Sequence, residues 1–196
     1  MAAIGVNQMA KIPPDAFSKL PTSKVKAFSG GSSVSSCSAL TADQLSSLPD
    51  SSWFGLTPDC FQYIESKSLA KTTKEELGSL STSAIRKLSP GQVKTIPANA
   101  FAGLSGAQLE VMPGSSSVST CASLSAAKLS NIPDDVWSSF EYSCFGYLQP
   151  ESLVEVTSAE LGALSPRVIA AITQSQVTKI PGSAFSGLSG AQVHAL

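Results

Sequence analysis

The chain has 196 residues, 42% hydrophobic and 14% charged, with a net charge of −1. That length holds one domain or two small ones, with enough apolar residues for a continuous core. Near-zero charge argues against nucleic acid, which needs a basic patch, and no apolar stretch reaches the ~20 residues of a membrane span.

Serine, at 36 residues, fills the polar positions that charged side chains usually take. A solvated face built from Ser and Thr is common in secreted and surface proteins. Residues 1–7 read as a leader; "MAAIGVNQ" lacks the apolar core of a signal peptide, so any secretory signal has been removed or was never there. A repeat then begins. "QMAKIPPDAF" starts at Gln8, "QVKTIPANAF" at Gln92 and "QVTKIPGSAF" at Gln176, a spacing of 84 both times. Residues 8–91 align with 92–175 without a gap, identical at about 31 of 84 positions, and residues 176–196 begin a third copy. A smaller phrase recurs within each repeat, at Gln8, Gln44, Gln92, Lys128 and Gln176, with spacings that alternate between 36 and 48.

Helix starts punctuate the repeat. Capping boxes are expected at Thr41/Gln44, Thr73/Glu76, Ser89/Gln92, Ser105/Gln108, Thr157/Glu160, Thr173/Gln176 and Ser189/Gln192. In each, the hydroxyl accepts from the backbone N–H three residues on, and the Gln or Glu accepts from the N–H of the cap. Pro90 and Pro166 occupy the first helical position, where a missing N–H costs nothing. Pro49, Pro97, Pro133 and Pro181 mark stops, because the residue before proline avoids helical geometry. "SGGSSVSSC" (29–37) and "PGSSSVSTC" (113–121) read as Ser/Gly-rich loops, in which Val34 and Val118 are the only residues able to anchor a short extended segment.

The resulting helices, two to three turns long, are too short to be stable alone. Their apolar residues fall in pairs such as Leu45/Leu48, Leu77/Leu80, Ile85/Leu88 and Val93/Ile96, a stripe only a neighbour can cover. The expectation is an all-α chain, an α-solenoid or superhelix of short capped helices in 84-residue compound repeats. The alternative is a compact two-domain protein from gene duplication.

Cys37, Cys60, Cys121 and Cys144 fall two per repeat, 23 apart. Metal binding would favour close pairs with histidine, and His194 is the single histidine. Of three possible pairings, the periodicity favours Cys37–Cys60 and Cys121–Cys144; four buried free thiols are the alternative. Closing loops of that size contributes about 3 kcal/mol each if loop entropy is the mechanism, and disulfides imply an oxidising, extracellular compartment. No Ser–His or Cys–His pair is repeated, Glu75/Glu76 and Asp134/Asp135 read as solvated helix starts, and "SGGSSVSS" lacks the lysine of a phosphate loop. The chain therefore reads as no enzyme, with no catalytic, metal or cofactor residue assigned. Trp53, Tyr63, Trp137 and Tyr147 are candidates for stacking on a sugar, although aromatics at fixed repeat positions are more often core.

"IPPDAFSKL", "IPANAFAGL" and "IPGSAFSGL" look like one phrase of leucine-rich repeats, but no asparagine ladder follows. "LSPGQVKTIP" and "LTADQLSSLP" resemble the L-S-P-x-Q-L-x-x-L-P phrases of mesothelin- and stereocilin-like proteins. The resemblance implies an extracellular superhelix of short helices with a part in adhesion. The functional expectation is a secreted filament, coat or adhesion subunit, or a segment of a larger surface protein, that assembles head to tail with itself or with other surface proteins. The alternative is a protein- or carbohydrate-binding solenoid module.

Overall fold

The structure is a computed structural model that describes residues 5–29, 36–112 and 118–196. Among these the chain is helix-rich, with no strand. Its elements are shorter than the sequence leads one to expect: α-helices of four to six residues alternate with 3-10 turns of three to six. The reason is a finer period than 84. Every eighth residue from Leu40 to Met112 is buried, and again from Leu124 to Leu164. Ahead of each lies a second buried pair, as in Gln44–Leu45, Ser52–Trp53, Cys60–Phe61, Glu76–Leu77 and Gln92–Val93. Eight residues leave room for one helical turn and one reversal. Helix nucleation costs more than a single turn returns, so each turn depends on its neighbours.

Eighty-four residues amount to ten such octads and four extra residues. The four fall where the step lengthens to twelve, from Phe28 to Leu40 and from Met112 to Leu124. Both lie at the Ser/Gly-rich segments. Residues 30–35, with Val34, and residues 113–117 lie outside the described residues. The cysteine ends of these segments are helical rather than loop: residues 36–39 form a 3-10 turn, and Val118–Cys121 is a helix rather than an extended anchor.

The prolines act as expected and do more. The helices Ala42–Ser46, Pro90–Thr95, Ala126–Leu129 and Gln174–Val177 all stop before Pro49, Pro97, Pro133 and Pro181. Each proline then opens a 3-10 turn: Asp50–Gly55, Ala98–Gly103, Asp134–Ser139 and Gly182–Gly187. These turns carry Trp53, Phe101 and Trp137 into the core and leave Phe185 half-covered.

The chain forms two compact units, Met1–Gly103 and Leu104–Leu196. The sequence repeats divide elsewhere, at 91/92 and 175/176. Within each unit most elements pack against the element three octads away, or 28 residues away where the step lengthens. In the first, Lys74–Gly78 lies between Asp50–Gly55 and Ala98–Gly103, and Ser66–Leu69 lies between Ala42–Ser46 and Pro90–Thr95. In the second, Ser158–Ala163 lies between Asp134–Ser139 and Gly182–Gly187, and Tyr142–Phe145 lies between Val118–Cys121 and Pro166–Ile169.

Two glycine pairs set the closest of these approaches. A Cβ on Gly103 would collide with the Lys74 carbonyl oxygen, and one on Gly78 would lie 2.6 Å from the Gly103 oxygen. Gly187 and Gly162 repeat the arrangement against Ser158 and Gly187. Gly182 and Gly190 meet nothing within 4 Å. Gly103→Ala and Gly187→Ala should therefore each destabilise by about 1–3 kcal/mol or more, because backbone must move apart. Gly182→Ala and Gly190→Ala should be neutral or mildly stabilising through the unfolded chain. Urea melts of the four variants decide the point, and equal costs at all four would refute the close approach.

Candidate functional site

A chain that ends a helix every eight residues repeatedly orphans backbone carbonyls, since the last C=O groups of a helix have no partner within it. All seven expected capping boxes form. In the box at Ser89, the Ser89 N–H donates to Gln92 Oε1 at 2.8 Å and the Gln92 N–H donates to Ser89 Oγ at 3.2 Å. The side chain then does something a capping box does not require. Gln92 is buried, and its Nε2 donates to the carbonyls of Phe61 at 3.0 Å and Ile64 at 2.9 Å. These belong to the turn that leads into Ser66–Leu69, the element stacked on Pro90–Thr95.

The same clamp recurs. Gln44 Nε2 donates to Met9 and Ile12, Gln176 to Phe145 and Leu148, and Gln192 to Gly162 and Leu164, all between 2.6 and 3.0 Å. In two octads that carry serine instead, the hydroxyl makes one such bond. Ser52 Oγ donates to Leu20 at 2.7 Å and Ser152 Oγ to Leu124 at 2.6 Å. Capping was legible in the sequence; the second use of the amide was not, because it joins residues about thirty positions apart.

Three octads put a charge in the clamp position. Glu76 and Glu160, 84 apart, accept from the N–H of Thr73 at 2.8 Å and of Thr157 at 2.6 Å. Both are buried. Burial raises the pKa of each carboxyl, against the lowering effect of hydrogen bonds from its own cap, and Asp50 and Asp134 respectively add a further raising influence. Lys128 occupies the same position in its octad, and burial lowers its pKa.

The cysteines pair within each repeat: Cys37–Cys60 and Cys121–Cys144, each with Cα atoms 5.4 Å apart. The second bond joins Val118–Cys121 to the Tyr142–Phe145 helix stacked on it. A separation of 23 is one three-octad step, less a residue, so the disulfide staples neighbours already in contact.

The four aromatic candidates separate by burial. Trp53 and Trp137 are core residues, which removes them from any ligand-stacking role; Trp137 packs edge-on against Phe140 and Phe145 at 5.2 and 6.4 Å. Their indole N–H groups have no partner among the described residues. Tyr63 and Tyr147, 84 apart, are exposed at 48% and 49%. They are not brought together with the tryptophans.

Two open grooves lie on the surface. One, of about 430 Å³ in the first unit, is lined by Leu40, Thr41, Glu65, Lys67 and Ser68 among others. The other, of about 310 Å³ in the second unit, includes Glu110, Glu141, Tyr142 and Arg167, with the guanidinium 4.0 Å above the Tyr142 ring. The groups whose protonation the fold shifts lie inside the stack instead. Among the described residues no three His, Cys, Asp or Glu side chains gather as metal ligands, and no helix is long and apolar enough to cross a membrane. No protein-family model and no curated protein matches the chain.

The clamps generate a paired prediction. Gln92→Ala removes two donors from buried carbonyls and one acceptor from the cap, and should destabilise by about 2–4 kcal/mol. Glu76→Gln with Glu160→Gln does the reverse, supplying the amide donors that the carboxylates lack. The raised pKa means that the folded chain binds these protons more tightly than the unfolded chain. Their contribution is therefore full below the ordinary value of 4.5 and is lost as pH rises through the folded value. The double variant should melt at higher urea than the wild type at pH 7 and lose that part of the pH slope. A lower midpoint at pH 7 would show that the carboxylates are better partners in place.

Proposed function

We propose that this chain is an extracellular structural protein whose octads wind as an α-solenoid, and that it serves as a subunit of a filament, coat or adhesive layer assembling head to tail. The observation that carries the reading is the three-octad register. Interior elements have the same kind of neighbour before and after them, and four of the stacked pairs are joined by the same amide-to-carbonyl clamp. An arrangement in which each turn contacts only its neighbours is the defining property of solenoids. Such contacts are heterologous and extend without limit unless the rotation closes a ring. Two intra-repeat disulfides fit a secreted location, and the resemblance of its phrases to mesothelin- and stereocilin-like superhelices belongs to the same reading.

A second reading, a protein- or carbohydrate-binding module, draws on Tyr63 and Tyr147, which present half-exposed rings at the same place in both repeats. Such rings supply stacking faces. The two readings part in solution. A structural subunit should show a mass that climbs with concentration by light scattering, and elongated particles by electron microscopy. A binding module should stay monomeric and give glycan-array signal that Tyr63→Ala and Tyr147→Ala abolish. A monomer of constant mass at high concentration would end the structural reading.

A further inference from the structure

The two repeats align without a gap, yet the groove in the second unit is built from residues that the first copy lacks. It holds about 310 Å³, at the lower end of small-molecule sites. Glu110, Ser138, Ser139, Glu141, Tyr142 and Arg167 line it. The residues 84 positions earlier are Lys26, Phe54, Gly55, Thr57, Pro58 and Ser83. In the first unit a phenyl ring, 54% exposed, thus stands at the place of Ser138, with Lys26 Nζ 5.4 Å from its centre. Ser138 withdraws that ring. Glu141 and Arg167 then put charged groups where the first copy has two hydroxyls.

The scaffold fixes these groups. Tyr142 opens the helix Tyr142–Phe145, which the Cys121–Cys144 disulfide ties to Val118–Cys121. Arg167 lies on Pro166–Ile169, the helix stacked on it. The guanidinium sits 4.0 Å above the Tyr142 ring, a cation–π contact that orients its planar fork. Among the described residues Arg167, Glu110 and Glu141 form no ion pair. Two carboxylates and one guanidinium therefore line one opening without being spent on one another.

Such a set selects by charge. A cation meets Arg167 and an anion meets Glu110 and Glu141, so each sign is opposed by a like charge. A neutral polyol is opposed by neither. Each of its hydroxyls both donates and accepts, donating to a carboxylate and accepting from the guanidinium, and hydrogen bonds to ionised groups are the stronger kind. Adjacent hydroxyls on a sugar ring match the paired oxygens of a carboxylate and the paired N–H groups of the fork.

We propose that this groove binds a neutral sugar ring, with Glu110 and Glu141 accepting from its hydroxyls and Arg167 donating to them. The site goes beyond the readings above: Tyr63 and Tyr147 do not line it, and it requires no assembly. The full chain, disulfides intact, is titrated with the methyl glycosides of glucose, galactose, mannose and N-acetylglucosamine and followed by amide-resolved NMR. At least one should bind with a dissociation constant on the order of 1 mM, the strength open to so few atoms, and should shift the Tyr142 and Arg167 signals. Methyl glucuronide and glucosamine, which add a charge of either sign, should bind more weakly than their neutral counterparts. Arg167→Ala should weaken binding about tenfold. Ser138→Phe places here the ring that Phe54 carries in the first unit, and should abolish binding. Both residues are exposed, and Phe54 shows that the scaffold accommodates the ring, so each variant's melting temperature should match the wild type. Absence of binding by every neutral glycoside, or tighter binding of either charged sugar, overturns the site. Binding that survives both variants overturns it too, and its loss in Tyr63→Ala or Tyr147→Ala instead would assign the sugar to the exposed tyrosines.

Discussion

The fold depends on one recurring contact, a buried side-chain amide that closes two backbone debts at once. A helix of one turn makes few hydrogen bonds of its own and leaves carbonyls at its end. Buried and unpaired, each would cost about 1–3 kcal/mol. Gln92 accepts from the N–H that starts its helix and donates to the two carbonyls that end an earlier one. Local capping and packing between stacked elements are thus the same side chain. A leucine there would bury as much apolar area but leave the carbonyls of Phe61 and Ile64 bare.

The neighbours of each clamp are shaped to admit it. Glu76 on Lys74–Gly78 faces an element carrying Ser52 on one side and one carrying Ala100 on the other. Gln92 and Gln44 are separated by the element of Ser68. Large and small residues alternate along these two columns, which suits close packing. The glycine pair Gly78/Gly103 and its copy Gly162/Gly187 take this to its limit, where two backbones touch. A disulfide spanning 23 residues falls in the same spacing, so it costs little geometric adjustment.

Much of this was legible in the sequence, and the remainder was hidden for a definite reason. The capping boxes, the proline stops and the cysteine pairing rest on residues a few positions apart or on a gapless 84-residue copy, and the structure contains all of them. The octad escaped because 84 is not a multiple of eight. The spacing of 48 between Gln44 and Gln92 is six octads, but the 36 between Gln8 and Gln44 includes the four extra residues, so the finer period loses phase once per repeat. Its apolar position also accepts Leu, Ile, Met, Val, Phe and once Thr72, which blurs identity while conserving burial. The helices came out shorter than expected for the same cause. The burial of Trp53 and Trp137 was decided by the proline-initiated 3-10 turn, which aims the last residue of the phrase, four after the proline, inward.

A structure held by nearest neighbours distributes its stability in a particular way. An element such as Lys74–Gly78, stacked on both sides, makes two interfaces, and its stability draws on both neighbours. Leu109 and Met112 are buried where Val193 and Leu196, 84 places on, are exposed. What repeats between the two units is this internal chemistry, the clamps and the disulfides, while the surface grooves differ.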